Sequence, residues 1–267
     1  MQRRAMLGTV LGTVLWLGGN AARAQPVPRD VASSLAPTGR LRVAINYGNA
    51  VLAQRDPATG KLSGVSVDIA EELGRRLALP LTLVPFDAAG KVSAAASKDV
   101  WDVAFLAGDP ERAREITFTA AYIVINGTYV VRKDAAYSSP DQIDRDGVRI
   151  AVSGNSIYDL FLTRNLKHAT IVRAGSPPEA AAVFQSQKLE VCAGVQTAML
   201  QLVATDPALR MIAEPFMQIH QALGTPVGRT VGAAYLRAFV ESIKADGFVQ
   251  QALARNGQTD ASVAPPG

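Results

Sequence analysis

The spacing of apolar residues predicts a first α/β unit early in the chain. Residues 41–45 (LRVAI) form an apolar run typical of a buried strand. Apolar residues then recur every four positions from Val65 to Leu77, which places them on one face of a helix that ends before Pro80. The unit continues with a strand at 81–86, a short helix at 89–98 and a strand at 103–106.

The same alternation repeats in a second unit. Strands are predicted at 148–152, 170–173 and 191–193, and helices at 157–165 and 177–187. Ser156 with Asp159, and Ser176 with Glu179, have the spacing of capping boxes at the two helix starts. Alternating strands and helices favour mostly parallel sheets flanked by helices. Two such units predict two lobes with a cleft between them, and ligands bind at the carboxyl ends of strands in such sheets.

The N-terminus has the composition of an export signal. Two arginines precede an uncharged apolar stretch, residues 5–19, and the tripeptide at 22–24 fits the small-x-small rule for cleavage after Ala24. A membrane-spanning helix needs about 20 residues, so this stretch is short for an anchor, which is the alternative. We expect residues 1–24 to be a cleavable signal peptide of a soluble periplasmic protein. The paired arginines leave Sec and twin-arginine export open.

The charge balance argues against nucleic acid as a partner. The chain of 267 residues carries 27 basic and 23 acidic residues, a net charge of +4. Three of the arginines and no acid lie in the predicted signal peptide, so 24 basic residues face 23 acidic ones in the mature chain, a net charge of +1. No cluster of Lys and Arg remains of the kind that nucleic-acid binding uses.

The sequence contains none of the common nucleotide-binding, metalloprotease or serine-hydrolase motifs. His168 and His220 lie far apart along the chain, and we expect neither to bind a metal. Cys192 is the single cysteine, which excludes an internal disulfide, and it falls in a predicted strand where a free cysteine is usually buried and inert. We therefore expect no metal and no cofactor.

Several segments, in chain order, resemble the family 3 solute-binding proteins of ABC importers, the polar amino-acid type. They are Gly64–Ala70, Asp102–Ala104, Asp109–Arg112, Ile116–Tyr122, Val148–Val152 with Asn155-Ser156, and Val240–Gly247. The first (GVSVDIA) is similar to the family's G-F-x-V-D-L-A helix start, and the third (DPER) to its T-P-E-R. Each match alone is weak, whereas their order and spacing together are specific.

The resemblance covers residues 40–257 and implies a two-lobed periplasmic-binding-protein fold of type II. It implies a leader at 25–39, lobe 1 at 40–130 plus 222–257, and lobe 2 at 131–221, with a two-strand hinge near 130–132 and 217–222. The polar, Pro-rich segment 258–267 is expected to be a disordered tail. The resemblance further implies a monomer that delivers a small-molecule solute to an ABC transporter permease in the inner membrane.

In the family, the arginine of T-P-E-R binds the α-carboxylate of the ligand, a role that the resemblance gives to Arg112. A guanidinium is always charged and forks onto carboxylate, although a surface arginine is the alternative. Asn155 and Ser156 begin a second-lobe helix and offer N–H groups and a hydroxyl to an anion, and Ser156 is equally explained as a cap. The full set of predicted site residues is Arg112, Asn46, Asn49, Phe105, Ala107, Asn155, Ser156, Val195 and Gln196.

One departure from the family pattern concerns the ligand's amine. Amino-acid members hold the α-ammonium with an aspartate whose position, counted from Glu190, is Val195 here, followed by Gln196. An unpaired ammonium in a closed cleft costs at least ~1–3 kcal/mol. The sequence thus predicts a solute with a carboxylate and no conventionally held α-ammonium, unless Asp109 or Glu111 binds the amine.

Two further departures lie in the first lobe. Residues 103–111 contain no Ser or Thr, although the family places such a residue between the third strand and the arginine. Asn46 stands where many members have Asp, and Asn49 about where they have an aromatic residue that stacks on the ligand. Tyr47 or Phe105 could take that stacking role.

Two other functions remain open at this point. Some relatives of the family are periplasmic dehydratases, which need a cleft acid or base, and Glu190, Asp109 and Glu111 are the nearby candidates. Other similar proteins accompany exported quinoprotein dehydrogenases. We expect a binding protein rather than an enzyme.

Overall fold

The computed structural model describes residues 28–267, and the predicted signal peptide lies outside the described residues. The strands are β1 Leu41–Asn46, β2 Gln54–Arg55, β3 Leu62–Ser63, β4 Leu81–Phe86, β5 Val103–Ala107, β6 Ile116–Arg132, β7 Arg149–Ser153, β8 Thr170–Ala174, β9 Val191–Val195, β10 Leu209–Met211, β11 Met217–Pro226 and β12 Ser262–Val263. The helices are α1 Arg29–Leu35, α2 Val65–Leu77, α3 Ala89–Ser93, α4 Ile157–Asn165, α5 Pro177–Ser186, α6 Gln196–Thr205, α7 Thr230–Ala245 and α8 Phe248–Arg255. None of these helices has the length and apolar character of a membrane span.

Most strands join one sheet in the order β4-β1-β5-β11-β6-β9-β7-β8, while β10 and β12 pair with β6. Strands β4, β1 and β5 are parallel and form the first half of the sheet. Strands β9, β7 and β8 are parallel and form the second half. The long strands β6 and β11 run antiparallel between the halves. The predicted α/β alternation is therefore present in both halves.

The apolar periodicity identifies the buried face of α2 correctly. Val65, Ile69, Leu73 and Leu77 are all buried on the side of the helix that packs against the sheet. The short helix predicted at 89–98 is the element that differs most, because α3 ends at Ser93 and the chain continues in turns with i→i+3 hydrogen bonds.

The strands β6 and β11 connect the two halves and were not predicted as long strands. β6 pairs with β11 from Ile116 to Gly127, and with β9 from Gly127 to Val131. β6 thus changes partner at Gly127, and the lobe bounds expected from the sequence stay predictions.

Both ends of the described chain pack on the fold. The segment 258–267, which the sequence predicts as a disordered tail, contains β12, whose residues pair with Ile123 and Val124 of β6. This stretch of β6 lies beyond the end of β9, so its edge is free to accept another strand. Lys244 Nζ also donates to the Pro265 carbonyl at 2.8 Å. At the other end, α1 in the predicted leader buries Leu35.

A buried carboxylate ties the first half together. Asp102 precedes β5, has a fully buried side chain, and accepts hydrogen bonds from Arg42 of β1 and Arg229 before α7. Burial alone would raise the pKa of Asp102, but the hydrogen bonds from the two arginines outweigh it and hold the pKa below its usual 3.8. The carboxylate therefore stabilises the fold only while it is ionised.

We predict that the contribution of Asp102 to the free energy of unfolding, measured as the difference between the wild type and Asp102→Asn, is constant from pH 7 to about 5 and is lost as the pH falls below the unfolded pKa of 3.8 and Asp102 becomes protonated. Asp102→Asn should lower the unfolding free energy at pH 7 by about 3 kcal/mol, because it leaves two arginines without a buried partner. Denaturant titrations at several pH values measure both effects.

Asp99→Asn is the matched control, because Asp99 contacts the same arginines from an exposed position. An exposed ion pair is worth about 0–1 kcal/mol, so this variant should unfold nearly like the wild type. Equal losses in both variants would contradict the assignment.

Candidate functional site

A cavity of about 700 Å³ lies between the two halves of the sheet. Its lining contains the loop after β1 and the carboxyl ends of β5, β7 and β9. Strand ends from both halves therefore meet at one place, which is where open α/β sheets bind ligands. The volume lies in the range of about 300–1,000 Å³ that is common for small-molecule sites.

Most of the predicted site residues lie on the wall of this cavity: Asn46, Asn49, Ala107, Arg112, Ser156 and Val195. Asn46 and Asn49 use their side-chain oxygens within the loop after β1, where Oδ1 of each accepts a backbone N–H two residues ahead. What these asparagines can offer to a ligand is therefore their amide N–H groups.

Phe105, predicted to line the site, lies elsewhere. On β5 the lining residues are Leu106 and Ala107 at the carboxyl end of the strand, and Phe105 lies further from that end. Phe105 packs edge-on against Tyr122 in the core, with ring centroids 5.7 Å apart. Tyr47 does line the cavity and is the aromatic residue that the first half contributes to the described wall.

Gln196 and Asn155 are also absent from the wall that the described residues form. The Gln196 side-chain oxygen accepts a hydrogen bond from Asn126 of β6 at 3.0 Å. Asn155 contributes its backbone instead of its side chain, because its φ of +55° turns its carbonyl toward Arg112.

Arg112 is a buried cation beside the cavity, with 5% of its surface exposed. Its Nη1 donates to the Ala107 carbonyl at 2.9 Å and its Nη2 to the Asn155 carbonyl at 2.8 Å, while Nε has no partner among the described residues. Burial lowers the pKa of Arg112 to about 10, partly offset by Asp109, so the guanidinium is charged at neutral pH. No ion pair in the described chain includes it, and the site has an unmatched positive charge.

Two more buried polar atoms on the cavity wall lack partners among residues 28–267. These are the Ser153 hydroxyl at the end of β7 and the side-chain amide oxygen, Oε1, of Gln221 in β11. Both side chains are at most 4% exposed. Buried polar atoms rarely stay unsatisfied, so each indicates a group that a ligand or water supplies. Neither residue was predicted, because β11 also contains Gln218 and His220 and its sequence does not single out Gln221.

The start of α4 forms part of the cavity wall on the side of the second half. Ser156 accepts a hydrogen bond from the Asp159 N–H at 3.1 Å, and Asp159 accepts one from the Asn155 N–H at 2.7 Å, as the capping spacing predicted. The loop before α4 is thereby held rigidly. Tyr158 also lines the cavity, and burial raises its pKa to about 12, so its hydroxyl remains a donor. Helix N–H groups, a hydroxyl donor and Arg112 all favour an anion here.

The two acids that could have bound an amine are engaged elsewhere. Asp109 has a buried side chain and accepts a hydrogen bond from Arg164 at 2.7 Å. Glu111 is exposed and forms an ion pair with Arg114 on the surface. Neither lines the cavity.

Asp87 is the one acidic residue among the described lining residues, and it is paired with Lys91 at 2.8 Å. Val195 lines the wall at the position of the family's ammonium-binding aspartate. The described wall therefore presents the Arg112 guanidinium, while its one carboxylate, Asp87, is held in an ion pair.

Two contacts beside the cavity join the halves directly. The ion pair of Arg164 with Asp109 links α4 to the loop after β5. Gly90 of α3 packs so closely on the opposite loop that an added Cβ would lie 2.6 Å from the Gly154 oxygen and 2.9 Å from the Asn155 Cβ. The cleft is closed in this structure, with the halves touching around the cavity.

We predict that Gly90→Ala holds the cleft open without unfolding the protein, because the new methyl group meets the backbone of the other half while α3 itself tolerates alanine. Small-angle scattering of the proteins as purified, without removal of any bound molecule, should give a larger radius of gyration for Gly90→Ala than for the wild type. Gly74→Ala is the control, since its added Cβ would meet α2's neighbours only at 3.5 Å or more. Identical scattering from both variants would contradict this prediction.

Several solved structures share the fold. The amino acid ABC transporter substrate-binding protein AbpA from Streptococcus pneumoniae, bound to L-arginine, is 17% identical, with a TM-score of 0.72 over 84% of this chain and 97% of that one. The solute receptor for L-cysteine of Neisseria gonorrhoeae is 18% identical, with a TM-score of 0.72 over 84% and 92%. The ancestral amino acid-binding protein AncCDT-1, a precursor of cyclohexadienyl dehydratase, is 18% identical, with a TM-score of 0.70 over 84% and 98%.

At these identities the likeness establishes the fold, and it confirms the two-lobed architecture predicted from the sequence. A comparison with curated protein sequences finds no match. The profile of one family, however, matches residues 41–258, which is most of the chain. This protein belongs to the bacterial extracellular solute-binding proteins, family 3.

Proposed function

We propose that this protein binds a small carboxylate-bearing solute in the periplasm and delivers it to an ABC transporter. The observation that carries the proposal is the buried Arg112 guanidinium, which lies on the cavity wall with no acidic partner in the described chain. A buried charge without a counter-ion is costly, and a carboxylate in the cavity would neutralise it. Charge-assisted hydrogen bonds from a guanidinium to a carboxylate are also among the strongest that proteins form.

The remaining donors support the same orientation of the solute. The Ser153 and Tyr158 hydroxyls lie close together on the cavity wall, and residues 156–158 at the start of α4 line it as well. The Gln221 side-chain oxygen is a neutral acceptor, which suits a water molecule or a solute hydroxyl and supplies no charge to balance an ammonium. A carboxylate held by donors from both halves would contact all of them only when the cleft is closed.

Closure of the halves is the proposed mechanism of capture. The chain passes between the halves through β6 and β11, where β6 changes partner at Gly127 and β11 has register shifts near Ala222. We place the hinge in these two strands. The solute shifts the population toward the closed form because it binds both halves at once, and the permease then recognises that form.

The periplasmic location and the transporter are supported indirectly. The family is extracytoplasmic, and one structural neighbour is an ABC transporter substrate-binding protein. The export signal is a prediction from residues 1–24. We propose that the protein performs this function as a monomer and without catalytic activity.

An enzyme on the same fold is the alternative, since one neighbour is a precursor of a dehydratase. The acids named as candidates do not line the cavity: Glu190 pairs with Arg149, while Asp109 and Glu111 pair with other arginines. Burial raises the pKa of Cys192 to about 12, which makes its thiol unreactive. Turnover of a bound solute, followed by mass spectrometry, would favour the enzyme. A gene for an exported dehydrogenase next to the gene for this protein would instead favour the other alternative, a protein that accompanies that dehydrogenase.

We predict that denaturing the purified protein releases a carboxylate-bearing small molecule, identifiable by mass spectrometry. Arg112→Gln should weaken its binding about 100-fold or more, because two charged hydrogen bonds from the guanidinium to the solute carboxylate are lost. Arg114→Gln, two residues away on the surface, is the control and should bind like the wild type in calorimetry. Unchanged affinity of Arg112→Gln would contradict the proposed function.

We also predict a preference for acids that lack an α-amino group. With no free carboxylate on the described wall to receive an ammonium, 4-methylpentanoate should bind at least about tenfold more tightly than leucine. Val195→Asp should reverse that preference by supplying the missing anion. Micromolar affinity for an ordinary amino acid together with no binding of the acids would overturn this part of the proposal.

A further inference from the structure

The cavity does not end at the cleft but continues between two helices of the second half. α5 and α6 follow the parallel strands β8 and β9, so both begin at the carboxyl edge of the sheet, where the cleft lies. α5 packs on β7, β8 and β9, and α6 packs on β6, β9 and β10. Phe184 of α5 and Met199 of α6 belong to one buried cluster, which shows that the helices cover the same face of the sheet.

Each helix lines this extension with a single face. On α5 the lining residues are Pro178, Ala181, Ala182 and Gln185, which follow the three- and four-residue spacing of one helical face. A helix rises 1.5 Å per residue, so the lining extends about 10 Å along α5.

The lining of α6 repeats the pattern. Ala198, Gln201, Leu202 and Thr205 show the same spacing, and Gly194 of β9 lies at the floor. We call the channel between these two faces the α5–α6 groove. Its inner part is half-buried at Ala181, Ala198 and Leu202, whereas its outer side is open to solvent.

The chemistry of the groove differs from that of the cleft. Its walls consist mainly of alanines with Pro178 and Leu202, Gln201 is the polar residue among them, and the far end, at Gln185 and Thr205, is polar and uncharged. No charged side chain belongs to the described lining of the groove. Small residues leave room for an occupant, and the absence of charge makes an apolar occupant the best match.

We propose that the α5–α6 groove holds the extended apolar tail of the solute, whose carboxylate lies at Arg112. The inference rests on the proposed function, because Arg112 supplies the anchor, and it names the class of solute: unbranched monocarboxylates with an apolar chain that reaches beyond the cleft. The continuity of the groove with the anion site, within one cavity, identifies its occupant as part of the same ligand.

Calorimetry with straight-chain carboxylates from butanoate to decanoate tests the proposal. Burying a methylene fully is worth about fourfold in affinity, and burying it on one side about twofold, so affinity should rise about two- to fourfold with each added CH₂. The rise should stop once the chain is longer than the groove. Octan-1-ol, which has the tail without the carboxylate, should bind far more weakly than octanoate.

Ala198→Trp fills the groove and should abolish the dependence on chain length while leaving butanoate binding unchanged. Leu200→Trp is the matched control, because Leu200 lies on the same helix, is exposed, and is not part of the lining. Ala182→Phe, at an exposed position on α5, is the second blocking variant, and circular dichroism checks the folding of all three.

The outcomes separate the two proposals. Affinities that rise with chain length in the wild type and the Leu200→Trp variant, and stay flat in the blocked variants, support the groove. Carboxylates that bind through Arg112 with no dependence on chain length overturn the groove and leave the proposed function intact. Binding of no carboxylate at all overturns both, and equal binding of octan-1-ol and octanoate shows a groove that is independent of Arg112, which also overturns the inference.

Discussion

The geometry of the cleft depends on one buried guanidinium. Arg112 donates to the carbonyl at the end of β5 in its own half and to the Asn155 carbonyl in the other half. The same group therefore links the halves and leaves an unmet positive charge on the cavity wall. Because a buried cation without a counter-ion is unfavourable, the closed form is incomplete on its own. The anion proposed to bind in the cavity would complete it and would thereby couple binding to closure.

The two connecting strands determine what can move. β6 and β11 run without interruption from one half to the other, so they set the orientation of the halves around the cavity. Each half keeps its own parallel sheet and its own helices, and across the cleft they are joined by the contacts of Arg112 and Arg164 and by the close approach of α3 to the loop before α4. Rigid halves joined by two strands favour rotation about those strands rather than local rearrangement.

Much of the fold was predictable because most elements carry a clear periodicity. The strands of both parallel sheets and the helices α2, α4 and α5 lie within a few residues of their predicted bounds. The long strands were harder, because the buried positions of β6 do not alternate: its neighbours change from one half to the other along its length. The tail β12 was missed because its order comes from a free strand edge far away in sequence.

The site was predictable in part for the same kind of reason. Arg112, Ser156 and Val195 were predicted through a family resemblance, and the structure places them around one cavity, whereas their roles in binding remain predictions. Phe105 does not line this cavity, because its ring packs against Tyr122 in the core. Ser153 and Gln221 were missed because only the folded chain shows that their polar atoms are buried without partners.

The position of β12 gives the C-terminal segment a mechanical role. It pairs with Ile123 and Val124 of β6, just before the residue at which that strand passes to its second-half partner. If β6 twists as the lobes rotate, β12 must either move with it or lose its hydrogen bonds to it. The pairing of β12 with β6 would therefore restrict bending of one of the two connecting strands. It would in this way contribute to the free-energy difference between the open and closed states.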